Sequence, residues 1–280
     1  MEFYEYLKSI ILGIIEGITE WLPISSTGHM ILIDELIRLD VSDAFKELFF
    51  VVIQLGAILA VPTLFFDRLN PFSKSKSETE RRGVWNLWGK VIVGALPAAV
   101  AGLLLDDFFD EHFYNYVVVA VALIVYGVAF IVIEKLKKGS SPRVEQAEDL
   151  SYRDALKIGA YQVLSLIPGT SRSGSTIIGG MLSGVSRTAS AEFSFFMAIP
   201  IMLGASGLKV LKFILEGFTA TAEEVGLLIT GIVVSYLVSL FAIKFLMDFV
   251  KRHDFKPFGI YRIALGVIVL GYFVGNYLAA

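Results

Sequence analysis

The chain has 280 residues, of which 55% are hydrophobic and only 18% are charged. Soluble domains are about 25% charged, so this composition, together with a mean hydropathy of +0.70, predicts an integral membrane protein. The formal net charge of −3 argues against a nucleic-acid-binding role, and the absence of cysteine excludes disulfides, thiolate metal sites and cysteine nucleophiles.

The first notable element is a polar stretch in apolar surroundings, which runs from Glu16 to His29 (EGITEWLPISSTGH). Glu16 and Glu20 are four residues apart, so both carboxylates lie on one face of a helix. Two carboxylates this close in a low dielectric need a cation or a shared proton. A divalent cation, Mg²⁺ or Ca²⁺, held by Glu16 and Glu20 together with phosphate oxygens would meet that need. The alternative is a solvated helix at the membrane interface.

The same stretch breaks at Pro23 and continues with the hydroxyls of Ser25, Ser26 and Thr27. His29 follows Ser26 by three residues, which predicts that both side chains point to the same side of the next helix. A serine with an imidazole within reach is typical of an activated oxygen nucleophile. We therefore expect His29 to take the proton of Ser26. The alternative is a structural histidine that is hydrogen-bonded to the backbone.

Six apolar segments are long enough to cross a bilayer as helices. They are predicted at 45–66, 88–105, 114–134, 190–211, 224–247 and 258–279. Lysine and arginine collect in three loops, which the positive-inside rule places in the cytoplasm: 68–90, 135–157 and 251–256. The acidic loops 106–111 and 216–224 then lie outside. Tyr261 and Arg262 at the start of the last span have the pattern of snorkelling or helix-end side chains.

A second polar stretch runs from Gln162 to Thr176 (QVLSLIPGTSRSGST) and resembles an anion-binding turn. Gly169 and Gly174 allow tight turns, and the helix that follows offers its positive N-terminus. Arg172 adds a permanent charge and a planar fork that suits phosphate oxygens. The alternative is a structural clamp, in which Arg172 forms an ion pair with a glutamate of the first stretch.

The regions 1–40 and 152–187 remain between the predicted spans, and the loop assignment lets neither change sides. Each is therefore predicted to be a re-entrant helical hairpin, broken at Pro23 or at Pro168. One hairpin plus three spans is an odd number of crossings, so the second half must be inverted. The predicted fold is an all-α integral membrane protein with an inverted-topology repeat, six transmembrane helices and two re-entrant hairpins. It forms a single domain over 1–280, with repeats at approximately 1–138 and 151–280 joined by a cytoplasmic loop.

Short matches between the two polar stretches support the internal repeat. Gly13-x-x-Glu16 recurs as Gly159-x-x-Gln162, and Ser25-Ser26-Thr27-Gly28 recurs as Ser171-Arg172-Ser173-Gly174. Identity outside the hairpins is weak, so the repeat rests mainly on the charge pattern of the loops.

Both motifs, Glu-x-x-x-Glu-Trp-Leu-Pro-x-Ser-Ser-Thr-Gly-His and Pro-Gly-x-Ser-Arg-Ser-Gly, resemble those of the undecaprenyl-diphosphate phosphatase family, the bacitracin-resistance membrane proteins of bacteria. The resemblance covers essentially the whole chain. It implies removal of the terminal phosphate of a prenyl diphosphate lipid, undecaprenyl diphosphate, which regenerates the carrier for peptidoglycan and other envelope polymers. It also implies dependence on a divalent cation and a site that opens to the outer face of the cytoplasmic membrane. By motif position, it assigns catalysis to Glu16, Glu20, Ser26, His29 and Arg172.

The other hydroxyl and glycine positions of the two stretches are expected to bind the substrate. They are Ser25, Thr27, Gly169, Thr170, Ser171, Ser173, Gly174 and Thr176. The expected reaction is attack by Ser26 on the terminal phosphorus, and its rival is attack by a water that Glu20 or His29 activates. A lipid-phosphate flippase that uses the same headgroup site is the alternative function. Membrane lipids are expected partners, and a homodimer is left open.

Overall fold

The computed structural model describes residues 2–113 and 115–279, and within these ranges it contains helices and no β-strand. The α-helices of the described residues are α1 (Glu2–Thr19), α2 (Ser26–Ile37), α3 (Asp43–Val52), α4 (Gln54–Leu64), α5 (Phe66–Leu69), α6 (Glu78–Phe113), α7 (Tyr116–Leu136), α8 (Tyr152–Gln162), α9 (Arg172–Leu182), α10 (Arg187–Leu215), α11 (Ala222–Val250) and α12 (Lys256–Ala279). The prediction of an all-α protein is confirmed.

Six helical segments of the described residues are long and apolar enough to cross a membrane. They are Asp43–Leu64, Glu78–Leu105, Tyr116–Leu136, Arg187–Leu215, Ala222–Val250 and Lys256–Gly275. Each coincides with a predicted span, although the second begins ten residues earlier than expected. The acidic residues Glu78 and Glu80 occupy the first turn of α6, where they favour helix formation by facing the positive end of the dipole.

Large apolar side chains are exposed along the spans, among them Leu104, Val125 and Phe241. Such surfaces are unfavourable in water and favourable in hydrocarbon. Together with the six spans, they identify a multi-pass membrane protein.

Two helix–break–helix hairpins lie beside the spans. Residues 20–25 separate α1 from α2, and a 3₁₀ turn at Val163–Leu166 followed by residues 167–171 separates α8 from α9. The two helices of each hairpin contact each other. The breaks contain Pro23 and Pro168, as predicted, because proline cannot continue the hydrogen-bond ladder of a helix. That each hairpin enters and leaves by the same membrane face stays a prediction.

Glycine brings the first helix of each hairpin into backbone contact with a long helix. A Cβ atom at Gly13 of α1 would lie 2.8 Å from the carbonyl oxygen of Gly231 in α11, and one at Gly159 of α8 would lie 2.1 Å from that of Gly94 in α6. The two halves therefore hold their hairpins by the same kind of contact. This supports the inverted repeat, which stays a prediction.

Helices α7 and α12 form a close pair that supports both hairpin tips, which are the breaks at residues 20–25 and 167–171. A Cβ atom at Gly127 would lie 2.6 Å from the carbonyl oxygen of Gly259, so the two backbones touch. The second tip also touches α7, since a Cβ atom at Gly169 would lie 2.5 Å from the carbonyl oxygen of Val119. The α7–α12 pair is thus the base on which the tips rest.

A buried ion pair lies at the C-terminal end of α7 and connects it to α10. Glu134 at the end of α7 is fully buried and accepts hydrogen bonds from the Arg187 guanidinium at the start of α10. The backbone N–H of Phe255, just before α12, donates to the same carboxylate at 2.9 Å. Because the carboxylate has a cation and a third donor, its burial is tolerated.

Candidate active site

Two strained serines mark the tips of the hairpins. Ser25 has φ 74° and Ser171 has φ 72°, and they are the only non-glycine residues with positive φ in the described part of the chain. Each is the N-cap of the helix that follows, and its hydroxyl accepts the backbone N–H of Gly28 at 3.3 Å or of Gly174 at 3.1 Å. Such conformations cost about 1–3 kcal/mol and concentrate at functional sites. Both tips therefore share one backbone design.

A single carboxylate joins the two tips. Arg172 of the second hairpin donates from Nε at 3.1 Å and from Nη2 at 2.9 Å to Oε1 of Glu20, which follows α1. Ser26 of α2 donates its hydroxyl hydrogen at 3.0 Å to the other oxygen of Glu20. Residues separated by about 150 positions thus form one cluster, as the assignment of catalysis to residues of both polar stretches requires. The ion pair with a glutamate, which was the alternative for Arg172, is present as well.

The guanidinium of Arg172 makes hydrogen bonds in several directions and lies against an aromatic ring. Its Nη1 donates to the carbonyl oxygen of Ser194 at 2.8 Å and to the Ser194 hydroxyl at 3.2 Å, and its Cζ lies 5.7 Å from the ring centroid of Trp21. With the two bonds to Glu20, four of the five N–H donors of an arginine are used. Ser194 was not expected from the sequence, because a lone serine in an apolar span carries no distinctive signal.

Glu16 is buried beside this cluster. It is 1% exposed, and its Oε1 has no hydrogen-bond partner among the described residues. The interpretation as a solvated interfacial helix is therefore wrong. A buried carboxylate oxygen without a donor calls for a cation or a proton.

The carboxylates of Glu16 and Glu20 fit a hard divalent cation, which prefers oxygen ligands. The described residues contain no group of three or more His, Cys, Asp or Glu that could hold a metal ion. Phosphate and water oxygens would therefore have to complete the coordination, as they commonly do for Mg²⁺.

His29 lies at the first tip, but its ring nitrogens hydrogen-bond to groups other than the Ser26 hydroxyl. Its Nδ1 is 2.7 Å from the carbonyl oxygen of Ser25, and its Nε2 is 2.7 Å from the hydroxyl of Tyr261 in α12. Because a carbonyl only accepts, Nδ1 carries the hydrogen, and in the neutral imidazole Nε2 accepts from the Tyr261 hydroxyl. The spacing argument that paired His29 with Ser26 thus finds a different geometry, since the Ser26 hydroxyl turns back to Glu20. The backbone-bonded histidine, which was the alternative, is what the structure contains.

Some of the hydroxyls predicted to bind substrate form hydrogen bonds to other groups of the protein. Thr170 donates to the carbonyl oxygen of Ile167 at 2.7 Å, and Ser173 donates to that of Glu20 at 3.1 Å. The hydroxyl of Thr176 is 2.6 Å from that of Ser194. All three hydroxyls are buried and stabilise the tips. Their role in substrate binding stays a prediction.

Other side chains of the tips remain partly exposed: Ser26, Thr27, His29, Ser171 and Arg172. They come from both hairpins, and they carry hydroxyl, imidazole and guanidinium groups. The part of the cluster that an incoming molecule can reach is therefore composite.

Gly169 is required by the shape of the second tip. It has φ +93°, a conformation that other residues adopt only with strain, and an added Cβ atom would meet the backbone of Val119. Gly174 is close-packed as well, since its Cβ would lie 3.2 Å from that of Ser171. The two glycines predicted at this turn thus let the tip approach its neighbours.

Arg262 is the functional candidate that the sequence interpretation missed. It is fully buried, and it donates to the carbonyl oxygens of Pro23 at 3.2 Å, Gly169 at 2.8 Å and Thr170 at 3.0 Å. The snorkelling interpretation is therefore wrong. A signal was available, because Arg262 lies six residues after the start of the Lys256–Gly275 span and no acidic residue lies within seven positions of it in the sequence.

Comparison with known proteins identifies several similar chains. Residues 9–268 match the family model described as "Bacitracin resistance protein BacA". A protein of Enterococcus faecalis named "Undecaprenyl-diphosphatase" is 57% identical over 274 residues, which cover 98% of this chain and 99% of the relative. Proteins with the same name from Desulfitobacterium hafniense and Streptococcus gordonii are 57% and 54% identical, each over 98% of both chains.

Proposed function

The chain belongs to the bacitracin resistance protein BacA family, and we propose that it hydrolyses undecaprenyl diphosphate to undecaprenyl phosphate and inorganic phosphate. Relatives that carry the name undecaprenyl-diphosphatase align with nearly the whole of the chain. The product would return as the lipid carrier for peptidoglycan and other envelope polymers. Because the relatives are named for a hydrolase, the flippase alternative is not favoured.

The observation that carries the proposal is the shared carboxylate. Glu20 accepts both the Arg172 guanidinium from the second hairpin and the Ser26 hydroxyl from the first. Arg172, whose positive charge suits a phosphate, and Ser26, the proposed nucleophile, therefore both hydrogen-bond to Glu20, the proposed base. Phosphoryl transfer needs this combination, because its catalysis consists largely of positioning and of neutralising charge on the phosphate oxygens.

Binding of the diphosphate is assigned to the second tip. Arg172 keeps one N–H free of protein partners and supplies the permanent charge, while the first turn of α9 adds backbone N–H groups at its positive end. The hydroxyl of Ser171 and, from the first tip, that of Thr27 are partly exposed and complete the set of donors. The prenyl tail would extend into the surrounding lipid.

The proposed nucleophile is Ser26, with Glu20 as its base. As the Ser26 oxygen attacks the terminal phosphorus, its proton passes to Glu20, and the bond from that phosphorus to the bridging oxygen breaks. Undecaprenyl phosphate leaves with the electron pair. Glu20 gives its proton to the departing undecaprenyl phosphate and then takes a proton from the water that attacks the phosphoserine. As inorganic phosphate leaves, this second proton passes from Glu20 to the Ser26 oxygen and restores the hydroxyl. The rival is direct attack by water, with Ser26 only binding phosphate and Glu20 or His29 as the base.

Glu16 and Glu20 would hold a divalent cation, Mg²⁺ or Ca²⁺. The cation would neutralise phosphate oxygens and so favour the transition state. The carboxylate oxygen of Glu16 that lacks a partner supports this assignment.

The protein is proposed to lie in the bacterial cytoplasmic membrane with its site open to the outer face. The concentration of lysine and arginine in the loops 68–90, 135–157 and 251–256 supports this orientation, because such loops stay in the cytoplasm. Assembly as a homodimer stays a prediction.

The function is tested by incubating the purified protein in detergent with undecaprenyl diphosphate and measuring released phosphate. We expect catalytic release at neutral pH in the presence of Mg²⁺ or Ca²⁺. A transporter would release none, since it moves the headgroup without cleaving the anhydride bond. Protein that binds the lipid but leaves the diphosphate intact would favour the flippase.

The cation is tested with a chelator and with the Glu16→Gln variant. EDTA should stop phosphate release, and added Mg²⁺ or Ca²⁺ should restore it. Because Glu16→Gln removes one carboxylate ligand, the cation concentration for half-maximal rate should rise about tenfold or more. Glu47→Gln, which changes an exposed glutamate, is the control and should leave that concentration unchanged. Full activity in EDTA would contradict the assignment.

A further inference from the structure

Arg262 contacts both hairpin tips at once. Its Nη1 binds the carbonyl oxygen of Pro23 in the first tip, and its Nη2 binds those of Gly169 and Thr170 in the second. Its Cζ lies 5.5 Å from the ring centroid of Tyr126 on α7. The side chain thus sits at the junction of four parts of the fold: two tips, α7 and α12.

The three carbonyl groups belong to the irregular backbone of the tips, where no helical hydrogen bond reaches them. A buried carbonyl without a donor is costly, and most costly in hydrocarbon. A guanidinium can serve carbonyls that approach from two directions, because its N–H groups point outward in a rigid plane. A lysine ammonium places its donors at a single point and matches this geometry poorly.

The packing of α12 against α7 places Arg262 between the two tips. Gly259 lies one helical turn before Arg262, and its contact with Gly127 draws α12 against α7. Among the described residues, Arg262 forms no salt bridge with a carboxylate, which distinguishes it from Arg172 and Arg187. Within the part of the chain that the structure describes, its hydrogen-bond partners are tip carbonyls alone, so the arrangement of the tips is what the side chain controls.

We propose that Arg262 is a positioning residue for phosphoryl transfer, which locks the two tips in the register that lets Ser26 and Arg172 address the same phosphorus. The proposal rests on the proposed function for the reaction it serves. The lock itself is a property of the fold and is tested separately. Catalysis depends on this register, because reacting groups misplaced by about 1 Å can lose about 100-fold in rate.

The first experiment compares kcat and KM for phosphate release by Arg262→Met and Arg262→Lys, normalised to monodisperse protein. We expect Arg262→Met to lower kcat about 100-fold and to change KM by less than about threefold, since the substrate-binding groups remain. Arg262→Lys should recover at least about tenfold of that loss, because an ammonium still reaches some of the carbonyls.

The matched control is Arg187→Met. It removes another arginine of the bundle and leaves the buried Glu134 without its cation. Both methionine variants should lower the melting temperature, but only Arg262→Met should lower kcat. If Arg262→Met melts earlier and keeps its kcat, the residue is only structural. A large rise in KM at constant kcat would make it a substrate-binding residue. Either result overturns the proposal.

The second experiment measures the register without activity. The chain has no cysteine, so Ile18→Cys near the first tip and Leu164→Cys near the second can carry spin labels. Both side chains are exposed. We expect a narrow distance distribution between the labels when Arg262 is present and a broader one in Arg262→Met. An unchanged distribution would refute the lock even if activity fell.

The two experiments separate the two proposals. If the parent protein releases no phosphate but the distance distribution broadens in Arg262→Met, the proposed function fails and the lock remains. If phosphate is released and the distribution does not respond to Arg262→Met, the function stands and the lock fails. If Arg262→Met does not fold, kcat and the distance distribution are measured in Arg262→Lys instead. We expect the same two changes in that variant, but smaller.

Discussion

Arg172→Ala is expected to lower kcat/KM for phosphate release by about 10³-fold, in the range found for arginines that stabilise phosphoryl transfer. The variant removes the cation that would bind the diphosphate, and it leaves the carboxylate of Glu20 buried without its partner. Arg172→Lys keeps the charge but loses the bidentate fork, so we expect a smaller loss of about 10²-fold. Released phosphate, measured over a range of substrate concentrations, checks both values.

A double variant tests whether Arg172 and Glu20, the proposed base, serve only as a structural clamp. Removing one member of a buried ion pair costs about 3–5 kcal/mol of stability, whereas removing both charges costs much less. Arg172→Ala with Glu20→Gln should therefore regain most of the melting temperature and none of the activity. The control is Arg82→Ala, because the ion pair of Arg82 with Glu78 is fully exposed. Activity that returned in the double variant would reduce Arg172 to a clamp.

Ser26→Ala is expected to abolish the formation of a phosphoenzyme and to lower kcat by about 10³-fold or more, as for enzymes that lose their nucleophile. With the parent protein and substrate labelled in the terminal phosphate, acid quenching during the first turnover should trap label on Ser26. Peptide mass spectrometry locates the label. The physical basis is the hydrogen bond to Glu20 at 3.0 Å, which gives the departing proton an acceptor.

Two comparisons make the Ser26 experiment decisive. Ser140→Ala changes an exposed serine near the start of the loop after α7 and should neither lose label nor slow the reaction. Full turnover by Ser26→Ala would reject the serine mechanism. Turnover by the parent without any trapped label, combined with a large loss in His29→Ala, would favour attack by water with His29 as the base.

The helices were predictable because hydropathy and charge are local properties of the chain. The span at Tyr116–Leu136 contains an 18-residue window with a mean hydropathy of 2.9, so it favours hydrocarbon over water. The tips were predictable for a related reason: Pro23 and Pro168 interrupt the helical hydrogen bonds next to clustered polar residues. Pro62, Pro97 and Pro200 stand in apolar stretches and lie within helices. Residue types that interrupt an apolar pattern therefore located both hairpins before any contact was known.

Hydrogen-bond partners were less predictable, as Ser26 and His29 demonstrate. Their spacing of three residues places them on one side of α2, yet Ser26 binds Glu20 and His29 binds Tyr261. Helical spacing restricts the direction of a side chain, but it does not choose among partners that other helices bring. The partner that prevails is the one that satisfies a buried charge or a buried donor.

Arg262 illustrates the same limit at longer range. Its position on α12 was consistent with a snorkelling side chain, because sequence reasoning had no information on what α12 packs against. Only the contact of Gly259 with Gly127, and the approach of both tips to this helix pair, reveals three carbonyl groups around the guanidinium. A charge inside an apolar span indicates function, but not which function.

The sequence by itself determined that the protein is an all-helical membrane protein with two interrupted polar hairpins, because the cost of polar groups in hydrocarbon is set residue by residue. The tertiary structure decided which groups meet: Arg172 with Glu20 and Ser26, His29 with Tyr261, and Arg262 with both tips. These contacts join residues from distant parts of the chain. They depend on the packing of whole helices, which no short stretch of sequence encodes.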